Sequence, residues 1–347
     1  MRPKGECLPG GIAVSKGRSF ILWLVAFALT LIIAAYQRLS GPTHPLRGEE
    51  TVGGHVLTYK FLRSYTAMRS LPVTVAVSDR RHHPRQSAIS ADLLYRRYPT
   101  GENWAVVPMK PGSNPEKAES LGASIPGQPA AGKVEYRIRI YAASLGLNSV
   151  VELNRGRAVI ARFKNEVPIF LLIPHITLMF LGLLFAVRTG IEAMLRIGDF
   201  RRPLAWTLAC MFIGGLILGP LVQKHAFGAF WTGFPLGTDL TDTKALIIFI
   251  AWLLAFLFRK KSRWWAVAAL VVMIALYLIP HSLFGSELNY RTGKVESASV
   301  SGYNPKLVNV SSASLTRFRM ISFTGRISPT SPTLWPAISE PVSTSPS

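Results

Sequence analysis

The chain is 347 residues long, 49% apolar, and carries 39 Lys and Arg against 18 Asp and Glu, a formal net charge of +21. In a soluble protein such an excess would point to nucleic acid, but here the cations gather at the ends of long apolar blocks, where they set orientation and meet anionic lipid head groups. No RNA-binding signature, zinc-finger spacing or CxxC pair is present, so nucleic acid is not an expected partner, and a self-encoded zinc ribbon and c-type haem attachment are excluded.

Residues 1–18 hold Arg2, Lys4, Lys16 and Arg18 and read as a basic cytoplasmic N-terminus. Residues 19–36 (SFILWLVAFALTLIIAAY) are uncharged and long enough for a first membrane span, longer than the apolar core of a signal peptide. Residues 37–166 are expected outside the membrane. Within them, 72–78, 92–98, 104–109, 133–141 and 158–163 alternate in polarity or are β-branched, with Gly, Pro, Asn and Ser clusters between. That is the pattern of short strands and turns. A domain of five to seven such strands suggests an immunoglobulin-like sandwich, and 125–136 (IPGQPAAGKVEY) resembles the turn and penultimate strand of fibronectin-type sandwich domains. The Cys…Trp…Cys spacing of a disulfide-bonded immunoglobulin domain is absent. Cys7 and Cys210 fall at different depths, and no disulfide is expected between them.

Residues 167–290 should form a four-span bundle, with spans at 169–187, 204–222, 245–258 and 264–279. The expected fold is thus a membrane α-helical bundle of about five transmembrane helices with an inserted all-β immunoglobulin/fibronectin-like sandwich. Arg188, Arg196, Arg201 and Arg202 sit between the second and third spans; Arg259, Lys260, Lys261 and Arg263 sit between the fourth and fifth. The loop between the third and fourth has only Lys224 and Lys244 at its edges. Five spans put every basic cluster on one side, which the positive-inside rule makes the cytoplasm of a bacterial inner membrane. The β domain and the C-terminal tail are then periplasmic. Residues 298–347, rich in Ser, Thr and Pro, read as a disordered tail.

Three histidines mark a candidate site. His175 follows Pro174 inside the second span, roughly 9–12 Å below the outer surface at 1.5 Å per residue. His225 lies just past the outer end of the third span, and His281 follows Pro280 at the outer end of the fifth. Alternating helix direction delivers all three to one face. An ionisable side chain at membrane depth is costly, which makes His175 a functional candidate, and imidazole ligates transition metals and haem iron. Each also has an ordinary reading: interfacial histidines bonded to water or carbonyls, Asp239 and Asp242 as caps of the fourth span, and Trp231, Phe230 and Phe234 as an aromatic belt. His82–His83, among Arg80, Arg81 and Arg85, reads as a solvated basic turn.

The run 226–239 (AFGAFWTGFPLGTD), followed by a span and flanked by His225 and His281, resembles the tryptophan-rich external loop of cytochrome c haem-handling proteins. Phe234 and Pro235 stand where that family has a second tryptophan. The resemblance implies His225 and His281 as axial haem ligands, Trp231 packed on the porphyrin, and Asp239 as the loop's acidic residue. The whole chain also resembles a group of bacterial polytopic inner-membrane proteins that carry this loop.

Three functions follow as expectations. The first is a periplasm-facing site of His175, His225 and His281, with Trp231 and Asp239, binding haem or a transition metal for electron transfer or cofactor handling. The second is a non-catalytic envelope scaffold whose sandwich binds a periplasmic protein partner while the helices contact membrane lipid. The third is quinone or proton chemistry at His175 and Glu287. No P-loop, GxGxxG, HExxH or GxSxG motif points to an enzyme class.

Overall fold

The computed structural model describes residues 15–79, 89–112, 120–142, 150–281 and 285–296. His82–His83 and the Ser/Thr/Pro-rich tail lie outside them.

Five apolar helices build the membrane part: α1 (Lys16–Ser40), α2 (Ile169–Leu195), α3 (Arg201–Phe227), α4 (Leu240–Leu257) and α5 (Trp264–Leu278). Four of them, α1 to α4, are long and apolar enough to cross a membrane. At 15 residues, α5 spans about 22 Å, short of the ~30 Å hydrocarbon core.

Short as it is, α5 runs between the two ends of the bundle. Its C-terminal carbonyls meet the C-terminal end of α1, where the Tyr36 hydroxyl donates to Leu278 O at 2.8 Å. They also meet the start of α4, where Lys244 Nζ donates to Ile279 O at 3.0 Å. The far end is tied by Arg188 near the close of α2, which donates to Ser19 O at the start of α1. The helices therefore alternate in direction, and one end of each lies at the end of the bundle that carries the β region.

Two span boundaries differ from expectation. The second helix continues to Leu195, so Arg188 is not a loop cation: its side chain is 4% exposed and pairs with Glu192 one turn on, at 2.6 Å. The i,i+4 spacing lets the helix carry both charges past the expected end. The fourth helix starts at Leu240, so Lys244, read at the loop edge with 241–244 able to extend the span at the interface, lies inside it. It sits buried in the first turn of α4, capped by its contacts to the α5 carbonyls.

Between α1 and α2 the described residues form eleven strands: β1 (Leu46–Val52), β2 (His55–Phe61), β3 (Ser64–Thr66), β4 (Leu71–Asp79), β5 (Ile89–Tyr98), β6 (Ala105–Pro108), β7 (Lys110–Pro111), β8 (Ser120–Ile125), β9 (Lys133–Ala142), β10 (Val150–Glu152) and β11 (Val159–Lys164). They form two mostly antiparallel sheets, ordered β1-β2-β4-β8-β7 and β3-β11-β9-β5-β6, with β10 also on β9. Among the described residues, only β3 and β11 pair in parallel. The period of two along each strand builds one shared core. Leu71, Val73, Val75 and Val77 point inward from the first sheet, and Val134, Tyr136, Ile138 and Ile140 from the second. All five segments read as strands from the sequence are strands. The β1–β2 hairpin, turned by Gly53 and Gly54 at φ 61° and 90°, adds a pair not foreseen.

After α5 the chain climbs back onto this β region. A hairpin of β12 (Glu287–Leu288) and β13 (Val295–Glu296) docks there, with Leu288 N–H donating to Ala131 O at 3.0 Å and Lys133 pairing with Glu287 at 2.8 Å.

Candidate functional site

A cavity of about 330 Å³ opens where the five helices meet the β region. Its lining is graded by depth. Near the end that carries the β region stand Gln37, Arg162, His175, Gln223, Asp239, Asp242, Lys244 and His281; one to two turns further in are Met179 and Leu183 of α2, Ile248 of α4 and Leu276 of α5. Helical phase produces the grading. On α2 the residues 175, 179 and 183 share a face, and on α4 so do 244 and 248.

The two carboxylates in this lining accept hydrogen bonds from nearby chain. Asp239 caps α4 through Thr241 N–H at 2.7 Å and also accepts from Ser286 N–H at 2.6 Å and the Thr232 hydroxyl at 3.0 Å. Asp242 accepts from Thr232 N–H at 2.7 Å and Gly233 N–H at 3.2 Å. Together they fold the 228–239 loop onto the top of α4, and they are as much its structural pins as its chemistry.

The two cations are placed differently. Arg162 comes from β11, three residues before the Asn165–Pro168 link to α2 begins. It is buried, with its guanidinium 3.9 Å over the Phe227 ring and one nitrogen donating to the Ser286 carbonyl and hydroxyl. Its Nε is buried without an acceptor. Burial pulls its pKa down to about 10, opposed by the Asp239 and Glu287 carboxylates, so it stays charged at neutral pH. Lys244 donates only to the carbonyls of Ile279 and Pro280. Among the described residues neither cation makes an ion pair with a carboxylate.

The histidines divide. His175 and His281 both line the cavity, with Asp239. His225 is exposed and is not part of the lining, nor is Trp231, whose indole N–H donates to Phe234 O at 3.0 Å. On α3 the cavity face carries Val222, Gln223, Ala226 and Phe227, a phase that turns residue 225 away. Among the described residues no group of three or more His, Cys, Asp or Glu side chains is arranged to hold a metal ion. Glu287 is paired with Lys133 and is not part of the lining. Sequence reasoning missed Arg162 and passed over Lys244. A lysine four residues into an apolar helix was the available signal for the second. For the first, only an arginine on the non-core face of the strand leading into α2 hinted at it.

No protein-family model matches the chain, and no curated protein matches it.

Proposed function

We propose that this protein is a multi-pass protein of a bacterial inner membrane that binds an amphipathic ligand in the cavity under its periplasmic β domain. The carrying observation is the polarity gradient of one cavity: charged and hydrogen-bonding groups at the outer end, side chains of Met179, Leu183, Ile248 and Leu276 deeper in. An amphiphile whose head sits at the membrane surface and whose tail lies among helices matches that gradient. The distribution of Lys and Arg supports the orientation, since Arg196, Arg201 and Arg202 and the 259–263 cluster fall at the end opposite the β region.

The haem or transition-metal reading now rests on two side chains, His175 and His281, because His225 faces elsewhere. An amphiphile uses the whole lining and is the reading we adopt.

The test is to purify the protein in a mild detergent and identify extracted small molecules by mass spectrometry. The Gly215→Leu variant is the control. A Cβ on Gly215 would meet only Met179 Sδ at 3.8 Å and Ala245 Cβ at 4.0 Å, so the larger side chain enters the cavity without displacing backbone. A stoichiometric amphiphile in the wild type that is lost in the variant is the expected result. Identical extracts from both would sink the proposal, and a Soret band in the wild type alone would return haem to first place.

A further inference from the structure

The amphiphile reading leaves the nature of the head group open, and the donors at the outer end of the cavity narrow it. A guanidinium offers five N–H donors and an ammonium three, and neither accepts. Of these, Arg162 spends one nitrogen on Ser286, with its Nε left buried and unpartnered. Lys244 reaches two carbonyls, Ile279 O at 3.0 Å and Pro280 O at 3.5 Å. Both side chains are under a tenth exposed and both line the cavity. A buried cation whose donors lack acceptors is costly. Asp239 and Glu287 favour the charged form of Arg162, but among the described residues neither Asp239 nor Asp242 accepts a hydrogen bond from either cation. The two cations therefore bring to the cavity lining donors that no described carboxylate accepts.

We propose that the ligand of this cavity is an anionic amphiphile whose phosphate or carboxylate head is received by Arg162 and Lys244. The inference rests on the amphiphile reading above and adds the charge of the head. An oxyanion brings acceptor lone pairs to both cations, and charge-assisted bonds of this kind are the stronger class. A guanidinium supplied by a sheet and an ammonium supplied by a helix start approach the head from different elements. Recognition thus depends on the β region and the bundle being in register.

Three probes separate the possibilities in the full-length protein in neutral detergent: oleoyl lysophosphatidic acid, monooleoylglycerol, which has the same chain without phosphate, and inorganic phosphate. Binding is read by thermal shift and by competition with a fluorescent acyl probe. We expect lysophosphatidic acid to bind at least about tenfold more tightly than monooleoylglycerol, given two charge-assisted contacts. Lys244→Met should shrink that ratio severalfold, weakening lysophosphatidic acid more than monooleoylglycerol, and Arg162→Gln should do the same. Lys244→Met keeps the apolar stem of the side chain in a helix and remains informative if Arg162→Gln fails to fold. Equal affinity of the wild type for the two lipids would overturn the anionic head and leave the amphiphile reading standing. Failure of both lipids to bind would overturn both. Inorganic phosphate competing as well as the phospholipid would support anion recognition but assign it to a free anion, overturning the lipid source.

Discussion

The Nδ1 of His175 on α2 lies 2.9 Å from the carbonyl oxygen of Gly214 on α3. A carbonyl only accepts, so the ring donates from Nδ1, and the neutral imidazole keeps its lone pair on Nε2. Gly214 belongs to a π-helical stretch, Met211–Leu218, and the same oxygen also accepts the Gly219 N–H from five residues on. The wider turn and the histidine are thus parts of one arrangement, and π turns of this kind recur where a helix serves a site.

Replacing His175 tests that link. His175→Leu removes the donor and should lower resistance to unfolding by about 0.6–1 kcal/mol, the usual worth of an interhelical hydrogen bond. His175→Asn, whose amide can still donate, should lose less. Unfolding by SDS titration in mixed micelles measures both, and equal losses would show that the bond contributes nothing.

The buried pair Arg188–Glu192, at 4% and 7% exposure, carries a larger stake. Arg188→Met leaves the Glu192 carboxylate without its cation, at a cost of about 3–5 kcal/mol. The double variant Arg188→Met, Glu192→Leu should recover most of that, because no buried charge remains. The same titration decides it. A double variant as unstable as the single one would mean that Arg188 acts through its bonds to Ser19 instead.

Gly233 is held against the first turn of α4. A Cβ there would sit 2.5 Å from Asp242 Cβ and 2.7 Å from Thr243 N, neither of which can swing aside. Gly233→Ala should therefore push the loop off α4, break the bonds from Thr232 and Gly233 N–H to Asp242, and cost about 1–3 kcal/mol. Ligand binding should fall with it, since Asp239 and Asp242 line the cavity. Wild-type thermal stability in this variant would show that the loop has slack not visible in its contacts.

Orientation is tested with topology reporters. Fusions after Gly112 and Gly237 should report the periplasm and one after Gly198 the cytoplasm, because the first two lie at the β end of the bundle and the third at the other. A cytoplasmic signal after Gly237 would invert the bundle and remove the outward-facing cavity.

What could be read from sequence followed from periodicity. Strands β4, β5, β6, β9 and β11 carry alternating apolar residues and were legible; β1 was not. Its core-facing positions include Gly48, lying under the Tyr59 ring, and Glu50, which accepts from the Tyr59 hydroxyl at 2.8 Å, so its alternation is hidden by a glycine and a charge. For the site, counting residues put His175 and His281 toward one end of the bundle, and both line the cavity there. Depth is one coordinate only. The direction a side chain takes around its helix also decides who lines a cavity, and His225 is one residue, hence about 100°, out of phase with Ala226. The contribution of Arg162 could not be counted along any helix, because it depends on how a sheet is set down on a bundle.

That last contact bears on modularity. Arg162 is the one lining residue drawn from the eleven-stranded region, and only residues 165–168 separate β11 from α2, with Asn165 N–H already donating to Ala226 O at 2.9 Å. A link so short and so anchored leaves no room for independent swivel. Exchanging the β region for a different domain, or for a plain tether, would keep every helix in place and still remove the guanidinium from the chamber below. Insertion and bundle are therefore not separable parts that happen to share a chain: any change that retilts the first reshapes the mouth of the second.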